Sequence, residues 1–201
     1  MAVKSAKISG LKLPDDIFDS IRTHCFNSIP ENKETSDYSK EDPTLNYANA
    51  TPMTNRKGPA MTAIGMLLRM YTGSSSRSHG VVNGANKLLK ILPKWGGNSG
   101  IPEVNVDDLD SKWNNEYTWY YGTLTMFQVG GEHWKVWNKA LIDTLIPNQR
   151  KGGPLDGSLK DVDGSWDTGP GWSPIVGRSY MTAMCALNLE VYYRYESISK
   201  N

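Results

Sequence analysis

The stretch that decides the fold is Gly177–Tyr195, GRSYMTAMCALNLEVYYRY. Read as a helix, it places Tyr180, Ala183, Met184, Leu187, Val191 and Tyr195 on neighbouring rows of one face, three or four apart. Such a face must be covered, so the stretch reads as a buried helix. It also recurs. Tyr121–Phe127 (YGTLTMF) falls opposite Met181–Leu187 (MTAMCAL) after a shift of 60 residues, and Met61–Leu67 (MTAIGML) falls in the same register after a second shift of 60. The columns read Thr62, Gly122, Thr182; Ala63, Thr123, Ala183; Gly65, Thr125, Cys185; and Leu67, Phe127, Leu187. Small residues return at the same places. Met1–Ser5 fits the register too, as though the chain opens inside a further copy. A fixed period longer than one helix and shorter than a domain marks a repeat architecture, in which each unit buries its face against its neighbours. The unit here is two helices and a loop.

Outward from that stretch the chain alternates inner and outer helices. Residues 1–12 read as the last turns of an inward-facing helix closed by Gly10. Pro14 opens the next helix, with Asp15 and Asp16 in its first turn and an apolar stripe of Ile17, Phe18, Ile21, Cys25 and Phe26. A long polar loop over 30–58 follows, with Tyr38, Tyr47 and Met53 folding back onto the body. Then come an inner helix over Pro59–Tyr71 and an outer one over Ser78–Leu92, ended by Pro93. The outer helix turns Val81, Val82, Ala85, Leu88, Leu89 and Leu92 inward. An aromatic inner helix spans Tyr117–Val129, an outer helix Glu132–Ile146 carries Trp134, Trp137, Leu141 and Leu145, and a loop over 147–177 leads back to the last inner helix. Stacked side by side, these hairpins make an all-α, α/α toroid or partial toroid: one domain over residues 1–201 that begins inside an inner helix of a larger ring.

Composition sets the outer bounds. Charged residues are 21% of the chain and the formal net charge is +1, so there is no basic cluster of the kind nucleic acid requires. No apolar run reaches the roughly 18 residues of a transmembrane segment. The opening MAVKSAKISGLKLP lacks the apolar core of a signal peptide, which makes cytoplasmic the default compartment. Cys25 and Cys185 form no disulfide framework or metal spacing and read as small buried residues. His24, His79 and His133 read as surface or capping residues.

Trp137–Gln149 (WNKALIDTLIPNQ), followed by Arg150, Lys151 and then Asp163-Gly164-Ser165-Trp166, resembles the QW motif of the prenyltransferase and squalene oxidase repeat, as in squalene and hopene cyclases. Residues 152–162 are inserted between its two halves. The segments PAMTAIGMLLRMY, YYGTLTMFQVGGEHWKVWNKAL and GRSYMTAMCALNLEVYYRY are similar to those of a bacterial group of uncharacterised squalene-cyclase-like domains. The resemblance implies the toroid fold and makes Gln149 and Trp166 a structural tie between successive hairpins.

It carries over no catalytic set. Hopene cyclases protonate their substrate with an Asp-x-Asp-Asp cluster. Neither Asp107, Asp108 and Asp110 nor Asp161, Asp163 and Asp167 forms that motif, so they read as solvated loop acids. Protein prenyltransferases hold zinc through an Asp-x-Cys pair. Here Ala183 precedes Cys185 and Thr23 precedes Cys25 at that spacing, so no metal and no cofactor is expected. Gly-x-Ser-x-Gly and P-loop signatures are missing as well.

The aromatic inventory remains. Trp113, Tyr117, Trp119, Tyr120, Tyr121 and Phe127 lie on or beside one inner helix, and Tyr180, Tyr192, Tyr193 and Tyr195 lie on another. Most are core between layers. Those at the N-terminal ends of the inner helices, Tyr117, Trp119, Tyr120, Arg178 and Tyr180, are the binding candidates, because they converge at one mouth of the arc beside the long loops. The reading is therefore a non-catalytic binding or interaction module with a concave aromatic surface. It would take an apolar or lipid-like ligand or a protein partner, and would self-associate through the N-terminal edge at residues 1–12. The alternative is a terpenoid cyclase-like isomerase acting on a polyprenyl chain.

Overall fold

The computed structural model describes residues 2–27, 58–96, 114–152, 162–169 and 171–194. Its regular elements are helices: α1 (Ala2–Ile8), α2 (Ile17–Asn27), α3 (Pro59–Tyr71), α4 (His79–Leu88), α5 (Glu116–Val129), α6 (Gly131–Leu145), a 3-10 turn (Ile146–Asn148), α7 (Ser173–Val176), α8 (Arg178–Leu189) and α9 (Val191–Arg194). The chain is all-α. The expected 30–58 loop, apart from Gly58, and the 97–113 connection with Asp107, Asp108 and Asp110 lie outside the described residues, as do Trp113, Asp161 and Tyr195.

Of α3, α5 and α8, the helices read from sequence as inner, α5 is the hub. It packs against α3 on one side and α8 on the other, and also meets α4 and α6, while α2 packs on α3. The recurring small residues explain the close approach. The Thr125 hydroxyl on α5 lies 2.9 Å from the Ala63 carbonyl of α3, a buried bond between two inner helices. On another face of α5, a Cβ built on Gly122 would fall within 2.6 Å of two indole carbons of Trp137 from α6. The Trp137 indole fills that space, is fully buried, and donates from Nε1 to the Thr123 hydroxyl at 3.0 Å.

Two apolar clusters result. One joins Ala63, Met66, Leu67 and Met70 of α3 to Val81, Ala85 and Leu88 of α4, with Leu124, Met126, Trp137 and Val191. The other joins Trp119 of α5 to Leu141 and Leu145 of α6, Trp166, and Met181 and Cys185 of α8.

Three expectations need correction. Helix α4 ends at Leu88, short of Leu92. The Leu92 carbonyl accepts from Asn114 Nδ2 and the Pro93 carbonyl from the Thr144 hydroxyl, both at 2.8 Å, and residues just before a proline avoid helical geometry. The buried face of α8 is Met181, Met184, Cys185 and Asn188, with Ala183 exposed and Tyr180 and Leu187 half-buried. The face is turned toward Trp119 of α5, Leu141 and Leu145 of α6 and Trp166, which pack with Met181 and Cys185. Finally, α1 buries no residue, and Ile8 and Leu11 stand exposed. The Lys7 ammonium, 4.9 Å from the Phe18 ring centre, holds it to α2.

Candidate functional site

The start of α5 is fixed before any site chemistry begins. The Asn115 side chain caps the helix by accepting from the Thr118 N–H at 3.0 Å. Asn114 Oδ1 accepts from the Trp119 indole N–H at 2.6 Å and from the Lys94 N–H at 3.2 Å. The first helical residue, Glu116, is thereby aimed at the loop that precedes α8.

Glu116 is 0% exposed. Its Oε1 accepts the backbone N–H groups of Trp172 at 2.8 Å and Ser173 at 3.1 Å, while Oε2 is buried with no hydrogen-bond partner. The loop is braced in turn: the Gly169 N–H donates to the Ser173 hydroxyl at 2.8 Å. Gly171, at φ +82, passes so close that a Cβ there would lie 2.5 Å from Glu116 Oε2 and 2.7 Å from the Asn115 Cβ. A side chain at that position meets both a left-handed backbone and the carboxyl. The same loop leaves Trp172, Ile175 and Val176 exposed to solvent.

Burial raises the Glu116 pKa above its ordinary 4.5, against the opposing pull of the backbone N–H groups of Glu116, Trp172 and Ser173. Its field reaches α8. The Tyr180 phenol is pushed up to about 12, first by burial, then by the Glu116 charge and by Tyr121. The Cys185 thiol is pushed up to about 12 by burial and then by Glu116, so it is an inert, fully buried thiol. A carboxyl, two phenols and a thiol thus share the contact between the N-terminal half of α5 and α8.

Tyrosines surround that contact. The Tyr117 and Tyr121 rings meet edge-on at 4.9 Å, and Tyr120 and Tyr121 at 5.2 Å. All three are half-buried, as is Tyr180. Of the residues singled out from sequence, Tyr117 and Tyr120 each meet Tyr121, which with Glu116 acts on Tyr180. Trp119 lies in the core instead, because its indole is captured by Asn114 and its ring packs against Trp95 at 6.0 Å. Arg178 is turned into the loop, where it pairs with Asp167 and donates to the Ser165 hydroxyl at 3.0 Å. Asp167 also pairs with Arg150, and that bond, ahead of the pairing with Arg178, holds its pKa below the ordinary 3.8.

Gln149 and Trp166 face each other in an isolated antiparallel bridge. The Gln149 side chain donates to the Gly164 carbonyl at 2.8 Å, and the Trp166 indole donates to the Leu145 carbonyl at 2.7 Å. The residues sequence reasoning missed are Glu116, Tyr121 and Gly171. His133, read as a surface residue, bonds Asn86 at 3.0 Å. Among the described residues, no helix is long and apolar enough to cross a membrane.

Comparison with protein-family models, with curated proteins and with solved structures finds no match to this chain.

Proposed function

We propose that the chain is an arc of an α/α toroid of the prenyltransferase and squalene oxidase repeat kind, and that it serves as a binding module. Its site is the tyrosine-rich end of α5 and α8. The repeat part of this reading is supported by the packing of α5 against both α3 and α8 and by the Thr125–Ala63 bond between α5 and α3. One observation carries the binding part: Tyr117, Tyr120, Tyr121 and Tyr180 gather half-exposed around a contact that also holds a buried carboxyl. Half-exposed rings grouped beside an uncompensated polar atom are what a ligand site offers and a filled core does not. The paired substitution Tyr120→Ala with Tyr180→Ala removes ligand binding and leaves far-UV circular dichroism unchanged. Retained binding overturns the reading.

A second reading is favoured by Glu116 itself. A terpenoid cyclase-like isomerase acting on a polyprenyl chain needs a carboxyl kept protonated by apolar surroundings, and Glu116 is buried in a way that favours its protonated form. Native mass spectrometry of gently purified protein separates the two. An added isoprenoid mass that persists in Glu116→Gln, with cyclised product extracted from the unaltered protein and the open chain from the variant, supports the isomerase, and a bare chain supports the module. The exposed Ile8 and Leu11 at the N-terminal edge support self-association there. Deleting residues 1–12 then converts a dimer to a monomer in light scattering, and an unchanged mass overturns that part.

A further inference from the structure

When ionised, the Glu116 carboxylate meets no counter-charge among the groups that act on its titration. Its Oε2 is buried and unpartnered, and what acts on its titration is burial and backbone N–H groups, with no cationic side chain among them. The titratable groups that face it are the Tyr180 phenol and the Cys185 thiol of α8, both neutral at neutral pH, and the loop contributes the Trp172 and Ser173 amides. A buried carboxylate with no counter-charge is costly, and a positive charge brought to it is correspondingly well held. Tyr180 is close enough to feel the Glu116 charge, Tyr121 acts on Tyr180, and Tyr117 and Tyr120 meet Tyr121 edge-on; tyrosine faces attract alkylammonium groups and supply the other half of a cation site.

We propose that this end of the α5–α8 pair binds an organic ammonium group, a small alkylamine or quaternary ammonium, with its charge against Glu116 Oε2 and its carbon groups against Tyr117, Tyr120 and Tyr180. The inference rests on the binding reading above and deepens it by naming the ligand class. Entry requires the Gly171 segment to lift, since its backbone closes on Oε2. The contrast with the isomerase reading is sharp: proton donation needs the carboxyl protonated, and ammonium binding needs it ionised.

The test is an NMR titration of the whole chain with choline and with 3,3-dimethylbutan-1-ol, its uncharged isostere, from pH 5 to pH 8. Choline is expected to saturate shifts of the Tyr117, Tyr120 and Tyr180 rings and to bind at least about tenfold tighter than the alcohol, as a desolvated cation over aromatic faces does. Its affinity rises as pH rises through the Glu116 midpoint, while that of the alcohol stays flat. Glu116→Gln abolishes the preference. Should that variant fail to fold, Tyr120→Leu removes one ring face and lowers choline affinity by a larger factor than that of the alcohol, and equal losses overturn the inference. Equal affinities, a preference that survives Glu116→Gln, or no binding of choline overturns the inference. If the alcohol binds and choline does not, the ammonium class fails and the binding site stands. If alcohol binding survives Tyr120→Ala with Tyr180→Ala, the binding reading itself fails.

Discussion

Replacing Gly122 by alanine sets two effects of known size against each other. In a helix interior, Gly→Ala gains about 1 kcal/mol of propensity. Here the new Cβ falls within 2.6 Å of two carbons of a fully buried indole. Trp137 cannot swing aside freely, since its N–H is held by the Thr123 hydroxyl at 3.0 Å. Overpacking of this kind costs about 1–3 kcal/mol, and losing the indole bond adds about 1 kcal/mol. The overlap wins, and Gly122→Ala is net destabilising by about 1–3 kcal/mol despite the better helix former. In a chain of this size each kcal/mol moves the melting midpoint by about 2–4 °C. Urea unfolding followed by circular dichroism reads the difference directly. A double variant with Trp137→Phe removes the ring atoms that clash, so the two changes together cost at least about 1 kcal/mol less than their sum. A more stable Gly122→Ala protein, or strict additivity in the cycle, would refute the packing of α6 on α5 described above.

Two further outcomes follow from charge. Glu116 has its folded pKa raised above 4.5, so the native state binds its proton more tightly than the unfolded chain. Native stability therefore falls as pH rises from 4.5 through the folded value and levels off above it, and Glu116→Gln removes that slope in urea midpoints measured across the window. Parallel curves for the two proteins would contradict this. Asp167 is the opposite case, with its pKa below 3.8. Its contribution is present above 3.8 and is lost as pH falls toward the folded value, so Asp167→Asn flattens the acid limb of the stability curve. Because the pair is partly exposed, added salt shrinks the effect. An acid limb left unchanged in the variant would show that the two arginines do not hold this carboxylate in solution.

Much of the helical framework was legible from sequence. The α3 bounds follow from Pro59 at one end and Gly73 beyond the other, and the start of α5 differs by one residue from the aromatic segment read as a helix. The phase of α8 was not legible. Tyr180, Ala183 and Leu187 carry the right spacing for a buried face, yet spacing alone does not say that Trp119 of α5, Leu141 and Leu145 of α6 and Trp166 cover Met181 and Cys185 instead. The end of α4 was hidden for a related reason: Leu89 and Leu92 extend the apolar stripe, while Asn114, 22 residues away from Leu92, takes the carbonyl.

At the candidate site, Tyr117, Tyr120 and Tyr180 were picked out by their places at helix starts, and Tyr121 is the ring that links them. Trp119 shares that helix, and only the Asn114 bond and the Trp95 ring turn it inward. Glu116 gave no signal, because an acid in a first turn already has an ordinary explanation in the helix dipole. What makes it unusual is a loop 56 and 57 residues further along the chain, and no local pattern reports such a contact.

The account turns on a buried, uncompensated carboxyl at the tyrosine end of α5. Carbon-detected NMR of the Glu116 side chain, titrated in the intact protein, measures it most directly. The expected midpoint lies above 4.5 and shifts downward when choline is added. A midpoint at or below 4.5, unmoved by choline, would contradict it.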